Sequence, residues 1–170
     1  LGMGFTFDDN DKEGVASPVS EMRNLIEKEP KNQEVIFPYI GGDEVNKSPS
    51  HTPQRYVINF GDRGEEECRQ QWPDLMAIIE AKVKPERMKL RDNSDGRNYK
   101  KYWWRFGRLQ PALQCAIVGL ERVLVACLIR KHHAFCFLPA NTVYAFSIGV
   151  FAVSKYSGFS ALQCRVHEVW

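Results

Sequence analysis

An acid followed by a Glu-x-Lys pair is the side-chain set with which many metal-dependent nucleases hold a divalent cation and poise a water. Asp74, Glu80 and Lys82 occur in that order within "WPDLMAIIEAKVKPER". The chemistry needs Glu80 and Lys82 on a strand, where residues two apart share a face. The stretch has a different period. Leu75, Ile78, Ile79 and Lys82 fall at helical spacing, as do Met76, Ile79 and Val83. Pro73 and Asp74 suit a first helical turn, and Pro85 moves Lys84 out of the helical region. In a helix Glu80 and Lys82 sit roughly 200° apart and cannot converge on one cation. The expectation is a structural helix and no nuclease site.

Other chemically suggestive groups fall away on similar grounds. Gly2-Met3-Gly4 has the look of a methyltransferase glycine loop, yet an acidic turn follows it where a helix is needed. His132 and His133 lie near Cys127 and Cys136, but the spacing matches no common zinc site, and both Cys lie in apolar runs where a thiol acts as a small hydrophobe. Cys164 and His167 are at helical spacing for a nucleophile pair, with no third group or oxyanion site in view. No catalytic residue and no metal ligand is therefore expected in the chain, and it carries no cofactor signature of its own.

What remains is charge. Residues 1–81 hold 8 Lys/Arg against 16 Asp/Glu, residues 82–108 hold 10 against 3, and residues 109–170 hold 5 against 2, giving −8, +7 and +3 and the net +2. A basic segment in a nearly neutral chain says more than the total. "KPERMKLRDNSDGRNYKKYWWRFGR" interleaves its cations with Tyr99, Tyr102, Trp103, Trp104 and Phe106. Lys89, Arg91, Arg97, Lys100, Lys101, Arg105 and Arg108 are candidates for phosphate contacts, while Trp103 and Trp104 are expected in the core. A second basic stretch, Arg130, Lys131, His132 and His133, lies between two expected strands, where a loop on a rigid sheet suits groove contacts. The acidic first half should face away from any polyanion that the basic segment meets.

These groups need elements to position them. "LGMGFTF" reads as a short strand and "DDNDKEG" as a turn. Ser17 is expected to cap a helix with Pro18 at its first position, whose apolar face is Val19, Met22, Leu25 and Ile26. "EVIFPYI" reads as a strand kept at a sheet edge by Pro38. Residues 41–53 read as turn and loop, and "RYVINF" as a strand. Residues 65–84 read as helix with a break at Trp72-Pro73, and residues 85–101 mostly as loop. Pro111 starts a helix, "RVLVACLI", "AFCFLPA", "TVYAF" and "GVFAVS" are short strands, and "GFSALQCRVHEVW" is a closing helix. The sum is α+β, a mostly antiparallel sheet of short strands flanked by helices, in one domain over residues 1–170. Five Cys without a Cys-x-x-Cys pair fit a reduced cytoplasmic compartment. Glu121 and Arg122 interrupt the longest apolar run, so no membrane span is expected. The absence of an initiating Met, and an end inside a helical pattern, suggest a piece of a longer chain.

"LGMGFTFDD", "VIFPYIGGDEVNKSP", "RYVINFGDRGEEECRQQWPDLMAIIEAKVKPER", "WWRFGR", "LERVLVA", "FLPANTVY" and "LQCRVHEVW" occur in one order along the chain. In this it resembles the region after the methyltransferase domain of large single-chain restriction–modification proteins of the MmeI-like, type IIG class. The resemblance implies a target recognition domain that reads double-stranded DNA in a bacterial cytoplasm. It implies a parent with methyltransferase and nuclease domains, acting as restriction endonuclease and adenine methyltransferase with S-adenosylmethionine as methyl donor. The Asn-Pro-Pro-aromatic motif of adenine methylation is not in this chain, and "SIGVFAVS" lacks the charged residue expected before its strand. The alternatives are a scaffold packed between the parent's methyltransferase and nuclease domains, or a catalytic nuclease fragment.

Overall fold

The computed structural model describes residues 3–107, 110–129 and 134–164. The fold is α+β. The chain forms two compact units, one from residues 1–37 and 55–109, the other from residues 38–54 and 110–170.

In the first unit, strand β1 (Thr6–Phe7) pairs antiparallel with β3 (Arg55–Ile58), Thr6 opposite Val57 and Phe7 opposite Tyr56. The residues before β1, Met3–Phe5, form a single 3₁₀ turn rather than the expected start of a strand. Gly4 lets that turn close on a helix end: a Cβ there would lie 2.8 Å from Val83 Cγ2. Close packing therefore accounts for this glycine.

Helix α1 spans Val19–Lys28, and its cap differs from the expected one. Ser17 is buried, and its hydroxyl accepts from Lys82 Nζ at 2.8 Å. The Val19 N–H instead donates to the Asp9 carboxylate at 2.8 Å. The acidic turn is a set of local caps, because Asp11 accepts from the N–H groups of Glu13, Val15 and Ala16. Ten residues separate Asp9 from Val19, which puts such a cap beyond any local sequence rule.

Helices α3 (Glu65–Gln71) and α4 (Pro73–Lys82) meet at Trp72, as expected from the Trp-Pro break. Leu75, Met76 and Ile79 bury one face of α4 in a core that includes Phe5, Phe7, Val57, Phe60 and Trp72. Residues 85–101 are not mostly loop. Helix α5 spans Lys84–Met88 and α6 spans Ser94–Lys101. Pro85 stands in the first turn of α5, where its missing N–H costs nothing, so it opens a helix instead of excluding Lys84 from one.

Strand β2 (Ile36–Ile40) passes from the first unit into the second. It lies between β3 and β6 (Val143–Tyr144), so Pro38 does not mark an edge strand. The pairing partner changes along the strand: the Val35 carbonyl accepts from Asn59, whereas Tyr39 and Ile40 pair in parallel with Val143 and Tyr144. Pro38 sits between those two stretches, where a missing donor is tolerated.

In the second unit, residues 41–53 include a short helix, α2 (Gly42–Lys47), whose Glu44 carboxylate accepts from the Gly41 N–H at 3.0 Å. Helix α7 (Pro111–Ile117) begins at its proline. Strand β4 (Arg122–Cys127) is central, antiparallel to β5 (Cys136–Pro139) and to β7 (Ile148–Phe151). Ile40, Val123, Val125, Cys127, Leu138 and Ile148 form its core, and helix α8 spans Tyr156–Gln163.

Candidate nucleic-acid interface

The nuclease-like letters are resolved by their partners. Glu80 accepts from Arg69 Nη1 at 2.8 Å and Nη2 at 3.0 Å, and from Lys84 Nζ at 2.5 Å. Lys82 reaches the Ser17 hydroxyl instead. The two side chains thus serve different neighbours, as a helix requires. The Arg69 and Lys84 hydrogen bonds hold the Glu80 carboxyl down at about 2. The cations it gathers also cover Trp103, with Arg69 5.6 Å and Lys84 4.6 Å from the ring centroid. Among the described residues, no group of three or more His, Cys, Asp or Glu side chains could hold a metal.

The basic segment is built around a residue that its charge alone does not single out. Arg87 is 2% exposed. Its Nη1 donates to the carbonyls of Tyr102, Trp103 and Arg105 at 3.0, 3.0 and 2.8 Å. Its guanidinium lies between Phe5 and Tyr99, 4.9 and 5.0 Å from their centroids. Burial pulls this group down to about 10, and its Nε has no hydrogen-bond partner. The aromatic faces supply part of what that nitrogen lacks. One signal in the sequence pointed to Arg87: Leu75, Ile79, Val83 and Arg87 recur every four residues, which extends the buried stripe of α4 to a cation.

Arg87 ties down the segment that follows α6. The helix itself starts at Asn93, whose side chain accepts from the Gly96 N–H at 2.7 Å. Gly96 is buried, and a Cβ there would stand 1.8 Å from the Arg91 carbonyl oxygen. Tyr99 lies under Arg87. Arg97, Lys100 and Lys101 are spaced i, i+3 and i+4 and so form one stripe of α6. Lys100 and Lys101 also occupy its last turn, where the helix dipole favours cations.

The other candidates are dispersed in role. Lys89 is exposed and pairs with Glu86 at 2.7 Å. Arg91 is exposed between α5 and α6. Arg97 donates to the Asp92 carbonyl at 3.0 Å, and its carboxylate is 3.7 Å away. Lys101 lies 5.2 Å from the Tyr102 ring. Arg105 is engaged in the fold: it donates to the Asp62 carbonyl at 2.7 Å and stacks on Tyr102 at 4.4 Å. Trp103 and Trp104 are buried as expected, and Trp104 Nε1 donates to the Arg63 carbonyl. Arg108, Arg130, Lys131, His132, His133 and His167 lie outside the described residues. No helix among the described residues is long and apolar enough to cross a membrane.

The fold defines the class first: an α+β assembly of short strands in which a capped helix carries a stripe of cations. No protein-family model and no curated protein matches the chain. In three dimensions it is similar to the solved structure of the type IIL restriction-modification enzyme MmeI in complex with DNA, with a TM-score of 0.69 and 17% sequence identity. The match covers 99% of this chain and 20% of that one. At that identity the likeness is one of fold, and the chain spans about a fifth of the enzyme's length.

Proposed function

We propose that the chain is a target recognition domain, the part of a restriction–modification protein that reads double-stranded DNA. One observation carries this reading: the fold follows, over nearly its whole length, a segment of an enzyme whose structure includes DNA. The cation stripe on α6 supports it. Arg97, Lys100 and Lys101 suit successive phosphates, while the Arg87 hub keeps their helix in place. Phosphate contacts position a protein on the duplex, and base contacts give it specificity. The base contacts are assigned to Arg130, Lys131, His132 and His133.

In this reading the chain performs no catalysis. Methyl transfer from S-adenosylmethionine and DNA cleavage belong to the parent's methyltransferase and nuclease domains, in a bacterial cytoplasm. The test is duplex binding measured by fluorescence anisotropy across a salt series. The expected result is a linear fall of log K with log salt, at a slope of about −0.9 per phosphate neutralised, together with preference for particular sequences. Binding that is absent at low salt, or that has no sequence preference at any salt, would sink the proposal.

A further inference from the structure

Helix α7 shows solvent a face without charge. It spans Pro111–Ile117, and none of its residues is buried. Ile117 and, just past the helix, Leu120 pack against the core that holds Val123 and Val125. The Leu120 N–H donates to the Ile117 carbonyl at 3.0 Å and closes the helix end on that core. Residues two apart in a helix lie about 200° apart, so Cys115 points away from the core that Ile117 meets. Ala112, Cys115 and Ala116 are exposed, and Val118, which follows the helix, is 78% exposed. Residues 109–120 contain no Asp, Glu, Lys or Arg. A surface helix ordinarily turns charged residues to water and apolar ones to the core. In α7 the outward residues are apolar as well, which marks a contact surface.

Charge and size select what covers it. Affinity for DNA comes mainly from cations on phosphates, and residues 109–120 offer none. A patch free of charge is what the centre of a protein–protein interface has. The patch is also small. A helix of this length is about 10 Å long and about 10 Å across, so its outward face is on the order of 100 Å². A stable complex between separate molecules buries about 800 Å² on each. The face is therefore too small to hold a second copy or a free partner. A domain on the same polypeptide needs far less, because the tether keeps it at a millimolar effective concentration. The fold matches 20% of the solved enzyme's chain, so four fifths of such a polypeptide lies outside it.

We infer that the outward face of α7, centred on Cys115, docks this domain on an uncharged, apolar patch of another domain in the same polypeptide. This rests on the proposal that the chain is one domain of a larger restriction–modification protein.

The test uses that full-length protein with a photoreactive benzophenone amino acid in place of Cys115. Irradiation and peptide mass spectrometry should give a cross-link to the same polypeptide outside residues 1–170. Its yield should not change on dilution, because the tether sets the effective concentration. Ala112→Glu puts a carboxylate on the face without touching the core, and should cut the yield several-fold. A cross-link between two polypeptides, to added duplex, or only within residues 1–170 overturns the dock. So does the lack of any cross-link, or a yield that Ala112→Glu leaves unchanged. Duplex binding by the same preparation keeps the two proposals apart. Binding without the expected cross-link overturns the dock and leaves the DNA reading standing. The expected cross-link in a protein that binds no duplex overturns the DNA reading and leaves the dock standing.

Discussion

At the scale of the residue, Glu80 and Arg87 show how placement gives charged side chains opposite roles. Glu80 is a part-exposed acid among cations, and its carboxyl is held at about 2, below the ordinary 4.5, by Arg69 and Lys84. A carboxyl depressed in the folded state contributes stability that is fully present above about pH 4.5 and is lost as pH falls through about 2. Glu80→Gln should therefore unfold at a lower temperature than wild type near neutral pH, with the gap closing as pH falls across that window. Thermal melts at a series of pH values check this, and a gap independent of pH would mean that the ion pairs contribute nothing. The same variant should leave cleavage by the parent near wild type, because Glu80 serves to gather Arg69 and Lys84 over Trp103. Loss of cleavage with folding and DNA binding intact would return the nuclease reading. Arg87 is the reverse case, a buried cation with carbonyl partners. Arg87→Met keeps most of the volume and leaves three carbonyls without their donor, which outweighs the relief of no longer burying a charge. The expected cost is about 2 kcal/mol. It should be measurable by denaturant unfolding, with weaker DNA binding on every sequence because the segment after α6 is released. Full stability in Arg87→Met would remove the hub.

At the scale of the element, α6 is where function and legibility part. "RDNSDGRN" reads as turn chemistry, and that chemistry is present: Asn93 accepts from the backbone N–H three residues on. The same residue types cap helices, and eight residues with little apolar content leave no periodicity to decide between turn and helix. Helices α3, α4 and α7 were legible because each has a proline or an acidic first turn and, for α4, a buried stripe. Strands β4, β5 and β7 were legible from β-branched and aromatic runs. The Asp9 cap and the pairing of β2 on both sides were not, since each depends on residues brought together by the tertiary fold. As for the candidate site, the sequence identified its cations but neither their stripe nor the Arg87 hub that sets it. The stripe makes a prediction. Replacing Lys100 and Lys101 together by Ala should weaken binding about equally on all duplexes and flatten the salt slope by about two, the loss of two phosphate contacts. A changed sequence preference would place these lysines in the groove instead.

At the scale of the whole molecule, the two units suggest a division of labour. The first holds the acidic caps, the Arg87 hub and the α6 cations; the second holds the central strand β4 and the sequence stretch 122–167, which contains no Asp or Glu. If the first unit supplies phosphate contacts and the second supplies base contacts, substitutions in each should fail differently. Arg130 is the sharpest probe. Arg reads guanine by two parallel hydrogen bonds to O6 and N7, so Arg130→Ala should cost about 1–3 kcal/mol at one position of the site and relax specificity there. Arg130→Lys should not fully rescue it, because an ammonium lacks the planar fork. A phosphate contact would behave otherwise, with a uniform loss across sequences that Lys largely restores. Sequencing the sites methylated by the intact parent separates the cases, with the Lys100 and Lys101 replacement run alongside. Relaxed specificity at a single base pair for Arg130→Ala, beside an unchanged preference for the lysine variant, is the expected pair of results. An unchanged preference in Arg130→Ala with activity retained would take Arg130 and its neighbours in sequence out of base recognition and leave specificity to be sought in the segment before Trp103.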